Sequence, residues 1–131
     1  MTAALLCLSM VVYYEARNEP FEGQIAVAQV VLNRVRDPRY PDTICEVVEQ
    51  GPNGGHHRHR CQFSFWCDGL PEKPRNGRAW RHARVVAQLT QDGVLDAGIG
   101  DATHYHASYV SPAWTAGLTP VTSIGLHTFY R

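Results

Sequence analysis

The rhythm of hydrophobic positions changes along the chain. Residues 3–14 are apolar almost without interruption, as in a helix buried on all sides, and the reading is a helix over 3–17 that ends before Pro20. A second helix is read over 24–35. Ile25, Ala28, Leu32 and Val35 fall at helical spacing, Val27 and Val31 widen the stripe, and Asp37-Pro38 stops it. Pro20 suits the first turn of this helix, where its missing N–H costs nothing. Thr43 and Glu46 form a capping-box pattern for a short helix through Val48, terminated at Gly51-Pro52.

Residues 51–60 read as an exposed loop rich in glycine and histidine, residues 62–66 as a short aromatic strand, and Asp68-Gly69 as a turn. After a linker over 71–76, Asn76 caps a helix running to about Gln91. Trp80, Ala83, Ala87 and Thr90 lie on one side of it, and Gly93 is its stop. From Thr103 onward the texture is strands and turns, with 103–109 and 121–130 pairing and Pro112 to Trp114 in a connecting turn. Helices first and strands later make an α+β domain.

At 131 residues, 44% hydrophobic and 18% charged, the chain has the size and composition of one globular domain over 1–131, expected to be a monomer. Its formal net charge of zero excludes bulk electrostatics as a basis for binding nucleic acid. The charge is uneven. Seven of the twelve basic residues lie between Arg58 and Arg84, while the first fifty residues hold seven acids and four arginines, a distribution that suits either a groove with a positive wall or scattered surface charge. The apolar run over 3–14 is preceded by no Lys or Arg and is too short to span a bilayer, so it reads as a core helix rather than a leader or a membrane anchor.

Candidate chemistry centres on Glu15, the first charge in the sequence, at the end of that apolar run. Desolvation there raises a carboxyl pKa and lets a glutamic acid stay protonated near neutrality, as a general acid requires. Glu19 and Glu22 are read mainly as structural, with Glu22 the better candidate to line a cleft. His104-Tyr105-His106 sets two histidines on one face of a strand and Tyr105 on the other. Two ligands are too few for a closed zinc site, and no metal or other cofactor is expected. Trp80 reads as core and Trp114 as exposed. Four cysteines, Cys7, Cys45, Cys61 and Cys67, allow three pairings into two disulfides. Cys7 reads as a buried free thiol and Cys61 and Cys67 as neighbours in space. Cys45 competes for either, so at least one disulfide is expected among these last three.

Tyr14-Glu15-Ala16-Arg17, Glu19-Pro20, Glu22-Gly23-Gln24, Ala26-Val27-Ala28 and Val31-Leu32-Asn33-Arg34-Val35 resemble the opening of the SleB/CwlJ-type cell wall hydrolase family, the spore cortex-lytic enzymes and their bacterial and phage relatives. Later blocks agree in order: Tyr40-Pro41 where the family has Phe-Pro, Asp42-Thr43-Ile44, Cys61-Gln62-Phe63-Ser64-Phe65 with Asp68-Gly69, Ala102-Thr103-His104-Tyr105-His106-Ala107, Val110 to Trp114, and Ile124-Gly125-Leu126-His127-Thr128-Phe129-Tyr130. The histidine-bearing segment over 51–60 departs from the pattern.

The resemblance implies a lysozyme-like or lytic-transglycosylase-like fold, with a helical lobe and a small β lobe enclosing a cleft. It also implies cleavage of peptidoglycan glycan strands between N-acetylmuramic acid and N-acetylglucosamine, with Glu15 catalytic. Glu22, Gln62, Ser64, Tyr105 and Trp114 are the expected substrate-binding residues. A lytic transglycosylase is preferred because no second acid convincingly pairs with Glu15; a muramidase, or a non-catalytic or metal-dependent wall-binding or amidase module, are the alternatives. The expected place of action is the cell wall, reached as a phage lysin or as a domain trimmed of its export signal.

Overall fold

The computed structural model describes residues 1–51, 61–69 and 73–131. Helix α1 (Ala3–Ala16) is opened by Thr2, whose hydroxyl accepts from Leu5 N at 3.1 Å. Its residues from Cys7 to Tyr13 are all buried, which is why its apolar residues show no preferred face: it is the central helix, packed against α4, α2 and α3. Helix α2 (Phe21–Arg36) starts three residues earlier than its stripe suggests, with Pro20 just outside at the N-cap rather than in the first turn. The Gln24 side chain donates to Glu19 O at 3.1 Å across this start.

Helix α3 (Ile44–Val48) is capped by Thr43 as expected, its Oγ1 accepting from Glu46 N at 3.2 Å; the Glu46 carboxylate closes the pair on the Thr43 hydroxyl, accepting from it at 2.7 Å. Helix α4 (Gly77–Gln91) is opened by Asn76 Oδ1, which accepts from Ala79 N at 3.0 Å. It buries Ala83, Val86, Ala87 and Thr90, while Trp80 is partly buried against Tyr13. The described basic residues of the Arg58 to Arg84 stretch are exposed: Arg78, Arg81 and Arg84 lie on the outside of α4 and form no wall of the central cleft.

The β lobe is a three-stranded antiparallel sheet in the order β1-β3-β2, with β1 (His104–Ala107), β2 (Pro120–Ile124) and β3 (His127–Tyr130). The stretch 121–130, expected to pair as a whole with 103–109, is itself a hairpin. It turns at Gly125, whose φ of +58° is a left-handed conformation that other residues adopt only with strain. Phe129 of β3 pairs with Tyr105 and is fully buried at the centre of the lobe.

Residues 62–66 are not a strand. Phe63 is extended, but Ser64–Cys67 is a 3-10 turn, and Cys61 and Cys67 are joined with their Cα atoms 5.7 Å apart. A strand of that length would separate them by roughly 20 Å. The alternating burial of Phe63 and Phe65 imitates a strand because a tight turn also sends alternate rings inward.

Cys7 is not a free thiol either. It is bonded to Cys45 across 38 residues, tying α1 to α3. The predicted loop over 51–60, with His56, His57 and His59, lies outside the described residues apart from Gly51. No described helix is long and apolar enough to cross a membrane.

Candidate active site

Glu15 occupies the last turn of α1, beyond the packed apolar run. Two aromatic contacts fix this turn. Tyr14 stacks on Phe65 at 4.8 Å, and Tyr13 OH accepts from the backbone N–H groups of Arg75 and Asn76 at 3.1 and 3.0 Å, holding the entry to α4. Arg17 folds back onto the Tyr13 ring, away from Glu15. Glu15 is left facing a cleft of about 540 Å³ lined by Glu15, Arg34, Gln62, Phe63, Ser64, His104, Tyr105 and Trp114.

Each wall comes from a different element. Gln62, Phe63 and Ser64 arrive on the disulfide-clipped turn, with Phe63 buried and its two neighbours exposed. His104 and Tyr105 come from β1. Trp114, 42% exposed, reaches the cleft from the 3-10 turn over Ala113–Gly117 and meets His104 at 5.4 Å and His106 at 5.6 Å. Tyr105 sits on the other face of β1 against Phe129 and His127, at 5.7 and 4.9 Å, so the strand alternates as expected. Arg34 comes from the C-terminal part of α2.

Burial raises the Glu15 pKa to about 7. Its cause is desolvation, as its place at the end of the apolar run suggested; the like charges of Glu19 and Glu22 are not among the causes. Glu15 makes no hydrogen bond or ion pair to a described residue, so none of these competes with a ligand for its proton. Burial and the nearby Glu15 charge hold the Tyr105 phenol well above its usual value, so its O–H is intact at neutral pH. Burial and the cations Arg34 and Arg39 push His104 down.

Of the residues expected from sequence, the structure brings Glu15, Gln62, Ser64, Tyr105 and Trp114 to this one cleft, and excludes Glu22. Glu22 lies exposed in the first turn of α2, because the break at Pro20 rotates it away from the Glu15 face. Glu19 instead clasps the β hairpin: its Oε1 accepts from Leu126 N at 3.0 Å and lies 3.2 Å from His127 Nδ1, without hydrogen-bond geometry to that ring. Burial lowers the His127 pKa, so this contact is not an ion pair at neutral pH.

Arg34 and His104 were not among the expected contact residues. The charge of Arg34 at helical spacing from Val27 and Val31, on the apolar stripe of α2, was the available signal. A larger cavity, about 630 Å³, lies between α2 and the chain's C-terminus. Four of its five charges are paired, Arg39 with Asp37 at 2.7 Å and Arg131 with Asp101 at 3.7 Å, and the fifth, Arg36, donates to Asn33 Oδ1 at 3.3 Å. Among the described residues, no three His, Cys, Asp or Glu side chains gather into a metal-binding group.

The chain resembles proteins of known kind over nearly its whole length. The Cell Wall Hydrolase family model matches residues 18–130, beginning just after Glu15. The spore cortex-lytic enzyme of Bacillus subtilis (strain 168) is 49% identical over 128 residues, covering 93% of this chain and 35% of the relative. That of Oceanobacillus iheyensis is 57% identical over 37 residues, 28% of this chain and 13% of the relative. The chain thus spans about a third or less of the length of these curated relatives.

The catalytic domain of the germination-specific lytic transglycosylase SleB from Bacillus anthracis superposes with a TM-score of 0.77 at 26% identity, covering 100% of this chain and 97% of that one. The catalytic domain of Bacillus cereus SleB gives 0.75 at 27% identity, over 98% and 89%. The α+β architecture, a helical lobe with a small sheet, is the one these domains share. The family match over most of the chain, together with a shared fold along its full length, establishes that this chain belongs to the cell wall hydrolase family.

Proposed function

We propose that this chain cleaves the β-1,4 bond between N-acetylmuramic acid and N-acetylglucosamine in peptidoglycan, as a lytic transglycosylase, with Glu15 as its acid and base. One observation carries this reading: Glu15 is the lone carboxyl group among the described residues lining the cleft, and burial keeps it half protonated near pH 7. Hydrolysis by the usual routes needs a second carboxylate, as nucleophile about 5 Å away or as base for water somewhat farther off. When the attacking group is the C6 hydroxyl of the muramoyl residue itself, one carboxyl suffices.

Protonated Glu15 gives its proton to the glycosidic oxygen as the bond from muramoyl C1 breaks. The Glu15 carboxylate then takes the C6 hydroxyl proton as O6 bonds to C1. Atoms balance without water, the product is a 1,6-anhydromuramoyl end, and Glu15 is restored. Gln62, Ser64 and the Tyr105 O–H supply hydrogen-bonding groups around the bound sugars, and Trp114 a stacking surface. The spore cortex-lytic relatives and the lytic transglycosylase SleB support the same substrate class and reaction. The place of action that follows is the cell wall, with the single domain over 1–131 as the catalytic unit.

Mass spectrometry of digested peptidoglycan tests the reading. The expected products lack the mass of water added by hydrolysis, whereas reducing muramic acid at every new end would make the enzyme a muramidase. Released peptides with intact glycan would replace both with an amidase.

A further inference from the structure

A charged donor without an acceptor lies in the same cleft. Arg34 is 5% exposed. Its Nε donates to Thr103 O at 2.8 Å, and its guanidinium lies over the rings of Tyr40 and Phe63, with the central carbon 5.1 and 5.5 Å from their centroids. Those contacts fix the plane of the group and leave one end of the fork unused. Nη1 is buried with no hydrogen-bond partner, and among the described residues no carboxylate forms an ion pair with Arg34.

Burying a cation without a counter-charge and with an orphaned donor is costly, and buried polar groups in folded proteins are nearly always paired. Glu15 is not its counter-charge, for no ion pair joins the two side chains. Yet the Arg34 charge is felt in the cleft, where it lowers the pKa of His104 and opposes the rise at Tyr105. Arg34 is therefore a cation held in place at the cleft wall, with Nε satisfied by Thr103 O and Nη1 meeting no acceptor among the described residues.

We propose that Arg34 is a substrate-binding residue whose guanidinium donates, from the edge that lines the cleft, to an acyl oxygen of the muramic acid residue bound beside Glu15, fixing the ring for the reaction. This rests on the glycan-cleaving reading above. A planar guanidinium held by ring contacts matches a planar acyl group, and desolvation makes such a charge-assisted bond strong. Two acyl groups on that sugar offer the same sp2 oxygen: the N-acetyl carbonyl and the lactyl carboxyl, free or amide-linked to peptide. His104, Tyr105 and Trp114 surround the sugar from the strand side; none of them carries a permanent charge.

The test is made in Glu15→Gln protein, so that saccharides bind without turnover. Calorimetry compares the disaccharide of N-acetylglucosamine and N-acetylmuramic acid with N,N′-diacetylchitobiose, with and without Arg34→Lys. Lysine keeps the charge and much of the stem but loses the fork. At least tenfold weaker binding of the muramic disaccharide alone assigns the lactyl oxygen; equal weakening of both ligands assigns the N-acetyl oxygen. Unchanged binding of both to a folded Arg34→Lys protein overturns the role of Arg34 and leaves the glycan-cleaving reading standing. Failure of the muramic disaccharide to bind while Arg34 is intact removes that reading and the Arg34 assignment with it.

A second measurement needs no change at Arg34. In protein with ¹⁵N-labelled guanidinium groups, the Arg34 Nη resonances shift on saturation with the bound disaccharide. Resonances that stay in place overturn the proposal even if Arg34→Lys fails to fold.

Discussion

The burial that raises the Glu15 pKa ties catalysis to stability and can be read in both. A glutamate carboxyl whose ordinary value is 4.5 titrates here at about 7. Below pH 4.5 the group is protonated in both folded and unfolded chains and contributes nothing to the pH dependence. Between 4.5 and about 7 the unfolded chain releases the proton while the folded chain retains it, so stability falls as pH rises. Above about 7 the whole penalty is present, on the order of 3 kcal/mol.

Glu15→Gln places an uncharged group of the same shape in the cleft and removes that penalty. The variant should melt with the parent at pH 4 and exceed it by up to roughly 10 °C at pH 8, given a few degrees per kcal/mol for a domain of this size. Its lytic activity should fall by about a hundredfold or more. In the parent, kcat/KM should decline as pH rises through about 7, as the acid form is lost. Thermal melts by circular dichroism at a series of pH values, beside turbidity assays on purified peptidoglycan, measure all three. A melting difference independent of pH would refute the burial argument. An active Glu15→Gln protein would refute the catalytic one.

The two disulfides should differ in worth, because loop closure in the unfolded chain scales with loop length. Breaking Cys7–Cys45, 38 residues apart, with Cys45→Ser should cost about 4 kcal/mol, and breaking Cys61–Cys67, 6 apart, with Cys61→Ser about 2 kcal/mol. Urea denaturation ranks them, and indifference of the parent to reductant would sink the argument. Gly125→Ala should destabilise by roughly 2 kcal/mol, since a left-handed residue with a Cβ is strained and that Cβ would stand 2.8 Å from both Glu19 Oε1 and Pro20 Cδ. A loss under about 0.5 kcal/mol in the same denaturation assay would mean that the hairpin does not depend on this close approach.

The sequence by itself determined what depends on local spacing. Continuous apolarity over 3–14 predicted a central helix, Thr43 with Glu46 and Asn76 marked two helix starts, and the place of Glu15 at the end of the apolar run predicted its raised pKa. Gln62 and Ser64 were picked out by family resemblance, which also supported Glu15, while Tyr105 and Trp114 were chosen for their side-chain chemistry; these five line one cleft, and Glu22, also expected there, does not.

Tertiary structure decided the rest. Alternating aromatics over 62–66 fit either a strand or a tight turn, and closure by Cys61 and Cys67 selected the turn. Cys7 has no distinguishing neighbour in sequence; it pairs with Cys45 because α3 packs on α1. Glu19 and Glu22 look alike on paper, but the chain's turn at Pro20 sends one to the hairpin and the other to solvent. Arg34 is a charge in an apolar stripe, and only the arrival of Thr103, just before β1, shows which of its donors is used and which is left without a partner. In each case local spacing is compatible with more than one partner, and the partner is chosen by contacts between residues far apart in the chain.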